Sequence, residues 1–313
     1  MFHQQYKSLI NSFSILVKFI KKIYNYIGGA MLVNLKKMME DANKNYYAIP
    51  HLNINNLEWT KFILEECQKN NSNVILGVSE GAIKYMGGYN VVSSLVKSLI
   101  NDLEIDIDVC LHLDHGSCFE SCKKAIDSGF TSVMIDASKY EIDKNIEIVK
   151  EVVEYAKKYN VTVEAEVGHI GGSEDGVANE IYYATIDDCK KLVNETGIDL
   201  LAPALGSVHG FYKGEPKLNF ERMKEIKEKL NIPLVLHGGT GIPDEMIKKA
   251  IECGINKINV NTELQVAWTN GVRKGLNEDK NIYDPRKVIK LGEQNLKEVV
   301  KNKIELFGSS HIK

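Results

Sequence analysis

Eight short runs rich in Val and Ile, apolar at nearly every position, recur along this chain with longer amphipathic stretches between them. The runs are Tyr47–Ile54, Asn73–Ser79, Asp108–His115, Ser132–Ser138, Thr162–Gly168, Leu200–Gly206, Pro233–Gly238 and Ile255–Asn261. A continuous apolar run, as opposed to an alternating one, is what a parallel strand covered on both faces requires. The intervening stretches, such as Trp59–Lys69, Asn145–Tyr159 and Phe220–Leu230, carry their charges on one helical face. Eight strand–helix units fit a closed parallel barrel. An open doubly wound sheet is the main competitor, and it predicts a glycine-rich phosphate loop after the first strand. Asn53-Ile54-Asn55-Asn56 stands there instead, without a glycine. The expected fold is therefore α/β, a single (β/α)8 TIM barrel over residues 31–313, with a C-terminal helical tail at Pro285–Leu306.

Residues 1–30 are expected to lie outside that domain. Met1 to Met39 holds no Asp or Glu, and Ser8–Ile27 is rich in Ile, Leu, Phe and Tyr. Lys18, Lys21 and Lys22 break the stretch before it reaches the 18 or so apolar residues of a spanning helix. No small-residue cleavage site follows it, as a secretory signal needs. An N-terminal appendage is the simpler reading, and an amphipathic helix lying on a surface stays open. The rest is ordinary for a globular protein, with 44% hydrophobic and 26% charged residues and a net charge of −3. That balance supplies no field for nucleic acid. The six cysteines form no C-x-x-C pair and are too sparse for a disulfide scaffold. They read as reduced thiols of a cytoplasmic enzyme, with no membrane partner.

A barrel places its chemistry at the C-terminal ends of its strands, and four strand ends here are unusual. They read Leu113-Asp114-His115-Gly116, Gly206-Ser207-Val208-His209-Gly210, Leu236-His237-Gly238-Gly239-Thr240-Gly241 and Asn259-Val260-Asn261-Thr262-Glu263. Three histidines at one mouth, each beside a glycine, suit zinc with an open coordination position. A competing pattern, His112, His115, Cys118 and Cys122, has finger-like spacing. His112 and His115 are an odd number of residues apart on one strand, which sets them on opposite faces, so a structural zinc site is not expected there. The glycines after His237, with Asn259, can offer backbone N–H groups to a phosphate. Strand five carries Glu164 and Glu166 on one face and is followed by a glycine-flanked segment carrying Glu174 and Asp175. That segment reads either as a lid with an acid–base group or as a solvated acidic loop.

Taken together these segments resemble the class II, zinc-dependent fructose-bisphosphate aldolases from about Leu32 to Ser309. The likeness rests on Leu76-Gly-Val-Ser-Glu-Gly-Ala82, His112-Leu-Asp-His-Gly116, Ser132-Val-Met-Ile-Asp-Ala-Ser138 and Glu164-Ala-Glu166. It continues through Leu201-Ala-Pro-Ala-Leu-Gly-Ser-Val-His-Gly210, Lys213-Gly-Glu-Pro216, Leu236-His-Gly-Gly-Thr-Gly241, Lys257-Ile-Asn-Val-Asn-Thr-Glu263, Tyr283-Asp-Pro-Arg286 and Phe307-Gly-Ser-Ser310. The resemblance implies that His115, His209 and His237 hold one catalytic Zn2+ per subunit, with Glu166 and Asp136 serving a second, displaced metal position. It implies that Asp114 exchanges the proton of the C4 hydroxyl and that Glu174 moves a proton at the carbon next to the ketone. Ser79 would contact one phosphate, joined by Arg286 from a neighbouring subunit of a homodimer or homotetramer. Gly210, Gly238, Thr240, Asn259, Asn261 and Thr262 would surround the other phosphate, Asn53 would line the site, and Na+ or K+ would sit near Val208, Gly210 and Gly238. The expected substrates are a ketose bisphosphate and triose phosphates.

The chain departs from the family pattern at Lys139-Tyr140, at His169 and at Ser173, none of them an expected ligand or acid–base group. A tagatose-bisphosphate aldolase remains the near alternative, with Pro203 and Lys213-Gly-Glu-Pro216 closer to the fructose branch. A Schiff-base enzyme using Lys139 or Lys257, and a non-catalytic sugar-phosphate-binding barrel, are the more distant ones.

Overall fold

The computed structural model describes residues 32–174, 177–179, 182–210, 212 and 214–310, so the expected appendage at 1–30 lies outside the described residues. All eight expected strands form: β1 (Ile49–Asn53), β2 (Val74–Ser79), β3 (Val109–Gly116), β4 (Ser132–Ile135), β5 (Thr162–Val167), β8 (Leu200–Pro203), β10 (Leu234–Leu236) and β11 (Ile255–Val260). They close into a barrel in the order β1-β11-β10-β8-β5-β4-β3-β2, every pair parallel. Most strands are shorter than the sequence runs at their C-terminal ends. The polar residues there, such as Asp136 and Ser138, leave the strand to build the mouth. Three further short strands, β6 (Gly171–Glu174), β7 (Val177–Asn179) and β9 (Val208–His209), form a small sheet in the order β7-β6-β9.

Alternation along the barrel strands sorts the residues into two sets. Outward positions such as Leu52, Val74, Leu76, Leu111, Leu113, Val163 and Leu201 pack under the surrounding helices in one large core. A separate cluster of Ile49, Ile75, Cys110, Leu200, Ala202 and Val235 fills the barrel floor. The floor is covered by α1 (Leu35–Asn45), a helix the sequence reading left unassigned. Its Leu35, Met38, Met39 and Ala42 recur at helical spacing and are buried against the floor, and Asn34 caps its N-terminus by accepting from Lys36 N. Going up from this floor, every second residue becomes polar. His51, His112, Glu164 and Lys257 are fully buried, and Asn53, Asp114, Glu166, His237 and Asn259 follow above them at 8% exposure or less. The helical tail forms as α11 (Pro285–Lys290) and α12 (Glu293–Phe307). Among the described residues no helix is long and apolar enough to cross a membrane, and all six cysteines are free.

Candidate active site

The three expected histidines meet. His115, His209 and His237 each offer a ring nitrogen, and the three nitrogens lie within 4.8 Å of one another. Ring centroids are 4.7 Å apart for His115 and His237, 5.1 Å for His115 and His209, and 5.7 Å for His209 and His237. Each arrives by a different local device. His237 follows the last residue of β10, with Gly238 at φ +65° turning the chain away beneath it. A side chain at Gly238 would place Cβ 2.1 Å from the Val208 carbonyl oxygen, so only glycine fits. His209 sits on β9, whose partner β6 pairs Gly172 with His209. His115 has φ +48°, an unusual conformation for a non-glycine residue, and the β3–β4 register shifts between Leu113 and Gly116. The strand stops alternating there, and the ring swings over the mouth to lie 2.9 Å from His237. The odd-spacing argument for opposite faces therefore fails at His115: its ring and that of His112 both engage interior residues, at different heights. The finger-like pattern gathers no metal-capable group among the described residues, since Cys118 is exposed and Cys122 is buried against the Met134 carbonyl.

The hydrogen bonds fix which nitrogens carry protons. His237 Nε2 lies 2.9 Å from Glu164 Oε1, and His115 Nδ1 lies 2.8 Å from Asp136 Oδ2. Burial raises the carboxyl of Glu164, but the charge of Lys257 and the His237 hydrogen bond outweigh it and hold the group well below the usual range. Asp136 behaves alike, with burial overcome by His115 and Ser138. Both carboxylates are ionised and can only accept, so His237 is protonated on Nε2 and His115 on Nδ1. Their other nitrogens, His237 Nδ1 and His115 Nε2, then face each other lone pair to lone pair at 2.9 Å. Two lone pairs at that distance repel unless a cation lies between them. The donor set thus fits a zinc ion, which takes imidazole nitrogen at about 2.0–2.1 Å. Burial lowers the rings of His237, to about 4, and of His209, well below the usual range, so both stay neutral and available.

A second metal-capable group shares His115, with Asp136 and Glu166 ligand atoms also within 4.8 Å. Burial, then the charge of Asp136, pushes the Glu166 carboxyl well above its usual range. Its Oε1 accepts from Ile170 N, while its buried Oε2 has no hydrogen-bond partner among the described residues. A cation would relieve both.

Asp114 stands beside the imidazole trio, 1% exposed. Asn53 donates to its Oδ2 at 2.8 Å, Asn259 to its Oδ1 at 3.4 Å, and His51 Nε2 lies 3.6 Å away. Burial raises its carboxyl, but His51 and then His115 and His237 hold it well below the usual range. Thr240 and the N-terminus of α10 (Thr262–Glu278) meet where the Thr240 hydroxyl accepts from Glu263 N at 3.3 Å. Asn261 and Thr262, at the start of that helix, are half-buried. Gly210 is half-buried with φ +83°. Ser79 ends β2 and caps α3 (Glu80–Met86) by accepting from Ala82 N. Arg286 lies apart on the exposed α11, hydrogen-bonded to Asp284. The segment expected as a lid or loop is a β-hairpin that pairs with β9. The side chains of Ser173 and Glu174 lie outside what is described, as do Asp175 and Lys213. His169 Nδ1 lies 2.9 Å from Ser138 Oγ and belongs to no metal-capable group among the described residues.

Three polar residues escaped the sequence reading as parts of this site: His51, His112 and Glu164's partner Lys257. A signal for them existed. Each stands two positions before an expected site residue on its strand (Asn53, Asp114, Asn259), and so faces the same way.

Fold and donor set together define a (β/α)8 barrel enzyme with metal-capable histidine and carboxylate groups at its catalytic mouth. The family model "Fructose-bisphosphate aldolase class-II" matches residues 33–311, and the chain belongs to that family, whose members are aldehyde-lyases. It is 55% identical over 280 residues to a fructose-bisphosphate aldolase of Geobacillus stearothermophilus, covering 89% of this chain and 98% of the relative. A fructose-bisphosphate aldolase of Staphylococcus epidermidis is 56% identical over 281 residues, with 90% and 98% covered. Among solved structures, the YdjI aldolase of Escherichia coli K12 superposes with a TM-score of 0.79 at 33% identity, covering 90% of this chain and 99% of that one.

Proposed function

We propose that this chain cleaves D-fructose 1,6-bisphosphate reversibly to dihydroxyacetone phosphate and D-glyceraldehyde 3-phosphate. The observation that carries the reading is the imidazole trio, two of whose lone pairs face each other at 2.9 Å. Zinc held by His115, His209 and His237 would act as a Lewis acid on the ketone side of the sugar, stabilising the negative charge that C3–C4 cleavage leaves. The remaining work falls to protein groups. Asp114, kept ionised, takes the proton of the C4 hydroxyl as the bond breaks, and Asn53 and Asn259 hold its two oxygens in place. Glu174, carried on the hairpin paired with the His209 strand, returns a proton to C3. Gly210, Gly238, Thr240, Asn259, Asn261 and Thr262 cradle one phosphate at a helix N-terminus. Ser79 meets the other phosphate, joined by Arg286 of a second subunit in a homodimer or homotetramer.

His115, Asp136 and Glu166 would offer the ion a second position, which shares His115 with the first. Na+ or K+ near Val208, Gly210 and Gly238 would complete the phosphate cradle. The barrel domain spans residues 31–313, with 1–30 an appendage, and the enzyme works in the cytoplasm, in keeping with its free thiols.

The test is triose phosphate release from fructose and tagatose 1,6-bisphosphates, followed by NADH oxidation through glycerol-phosphate dehydrogenase, with and without chelator. Turnover should favour the fructose substrate, vanish on chelation and return with zinc. Activity persisting after verified zinc depletion would defeat the mechanism, and a preference for tagatose bisphosphate would move the chain to the alternative substrate.

A further inference from the structure

Beneath the mouth runs a single file of buried polar groups that the proposed chemistry does not use. Lys257 Nζ donates to Glu164 Oε2 at 2.6 Å and lies 3.4 Å from His112 Nε2. His112 Nδ1 lies 2.8 Å from Ser132 Oγ, and that hydroxyl donates to the Thr162 carbonyl at 3.3 Å. Lys257, His112, Glu164 and Ser132 are all fully buried, so no solvent can exchange one partner for another. Chemistry then leaves one way to place the protons. A lysine ammonium only donates and a carboxylate only accepts. Ser132 spends its hydrogen on Thr162, so His112 donates from Nδ1 and accepts from Lys257 at Nε2. Glu164, filled on Oε2 by Lys257, accepts His237 Nε2–H on Oε1. The file runs without a break from the Thr162 carbonyl to His237, whose Nδ1 is turned to His115 Nε2 at the proposed zinc site.

We propose that Lys257 is a positioning residue: it holds Glu164 as the acceptor that keeps His237 protonated on Nε2 and open at Nδ1, and thereby sets zinc affinity. The role rests on the zinc site proposed above. The geometry explains why a lysine is sealed inside a strand. A buried carboxylate orienting a metal-bound imidazole needs a compensating cation, and Lys257 is the cation that reaches it. The same pairing removes Lys257 as a Schiff-base nucleophile, since its ammonium is tied between Glu164 and His112 at the bottom of the site.

The experiment measures zinc affinity of the full chain by competition with a chromophoric chelator, for the native protein, Lys257→Met, Glu164→Gln and the double variant. Each single change should weaken zinc binding by about 10- to 100-fold, because each leaves the other group buried without its partner. The double variant should recover most of the loss. The glutamine carbonyl accepts from His237, and its amide donates to His112 Nε2, 3.8 Å from Glu164 Oε2 now, restoring the file without charge. Lys257→Met binding zinc as tightly as the native chain, or a double variant no better than the single ones, overturns the role of Lys257 alone. A native chain that binds no zinc overturns the metal site with it. Should Lys257→Met not fold, the ring 15N shifts of His237 in the metal-free native chain, identified by their loss in His237→Gln, decide the matter. Protonation on Nε2 supports the file, and protonation on Nδ1 breaks it.

Discussion

Asp114→Asn removes the proposed base while leaving its shape, and the surroundings of Asp114 set what each effect is worth. Both carboxylate oxygens receive amide donors, Asn53 on one and Asn259 on the other. Wherever the new amide nitrogen points, it meets a donor. The mismatch costs about 1–3 kcal/mol of stability if both neighbours keep their orientation, and less if either asparagine flips. The expected fall in Tm is a few degrees, with the fold and the three imidazoles retained. The kinetic effect is larger. A positioned base contributes about 10²- to 10⁴-fold, so kcat for cleavage should fall by that factor, equivalent to about 3–5 kcal/mol of barrier. Single-turnover cleavage, with zinc content measured on the same sample, isolates the step. A partial reaction sharpens the test. Exchange of the C3 proton of dihydroxyacetone phosphate with D2O is assigned to Glu174, and it should survive Asp114→Asn while failing in Glu174→Gln. A kcat within tenfold of native at full zinc content, or loss of exchange in step with cleavage, would refute the assignment of the two proton transfers.

Other consequences follow from packing and charge. In Gly77→Ala the new Cβ would lie 1.7 Å from His51 Nε2, so the variant should lose about 3 kcal/mol or more, read as a lower urea midpoint. His51→Ala added to it should recover part of the loss, and equal midpoints for native and Gly77→Ala would contradict the packing. In the metal-free chain His237 has its proton affinity lowered from 6.5 to about 4 by burial, the Glu164 hydrogen bond opposing this in part. Its neutral form is favoured by folding, so its contribution is full above pH 6.5 and is lost as pH falls toward 4, on the order of 3 kcal/mol in all. His51, His112 and His209, also lowered chiefly by burial, act in the same sense. The Glu166 and Asp199 carboxyls, raised chiefly by burial, act in the opposite sense but are outnumbered by the four rings. Urea unfolding at pH 7.5 and pH 5 should show the metal-free protein weaker at pH 5, and the reverse order would contradict the buried neutral rings. Glu166→Gln should leave fructose bisphosphate cleavage within about tenfold while removing the second metal position, seen as simpler zinc-binding curves.

The barrel was readable because parallel strands buried on both faces leave a signal that does not depend on tertiary detail: eight apolar runs, all of which form. The imidazole trio was readable because three histidines recur at the ends of three such runs, whereas one alone at a strand end commonly has an ordinary hydrogen-bonding role. What could not be read was local backbone geometry. His115 reaches the mouth through a positive φ and a register shift, and neither follows from its neighbours in sequence, which is why the alternation rule misplaced it. The helix under the barrel floor was missed because its apolar face, Leu35, Met38, Met39 and Ala42, is short and follows an apolar stretch of sequence that blurs the pattern. The buried file from Ser132 to Lys257 was concealed for a different reason. Each member sits inside an apolar run on a different strand, and only barrel closure brings them into one layer.

The central claim is one divalent ion held by His115, His209 and His237 with a coordination position to spare. X-ray absorption at the zinc edge of the full chain tests it most directly. The expected result is one zinc per chain, three imidazole nitrogens at about 2.0–2.1 Å and a light oxygen neighbour, with the imidazole signal reduced in His209→Gln. A sulfur shell near about 2.3 Å, or a native protein that retains no zinc, would contradict the account.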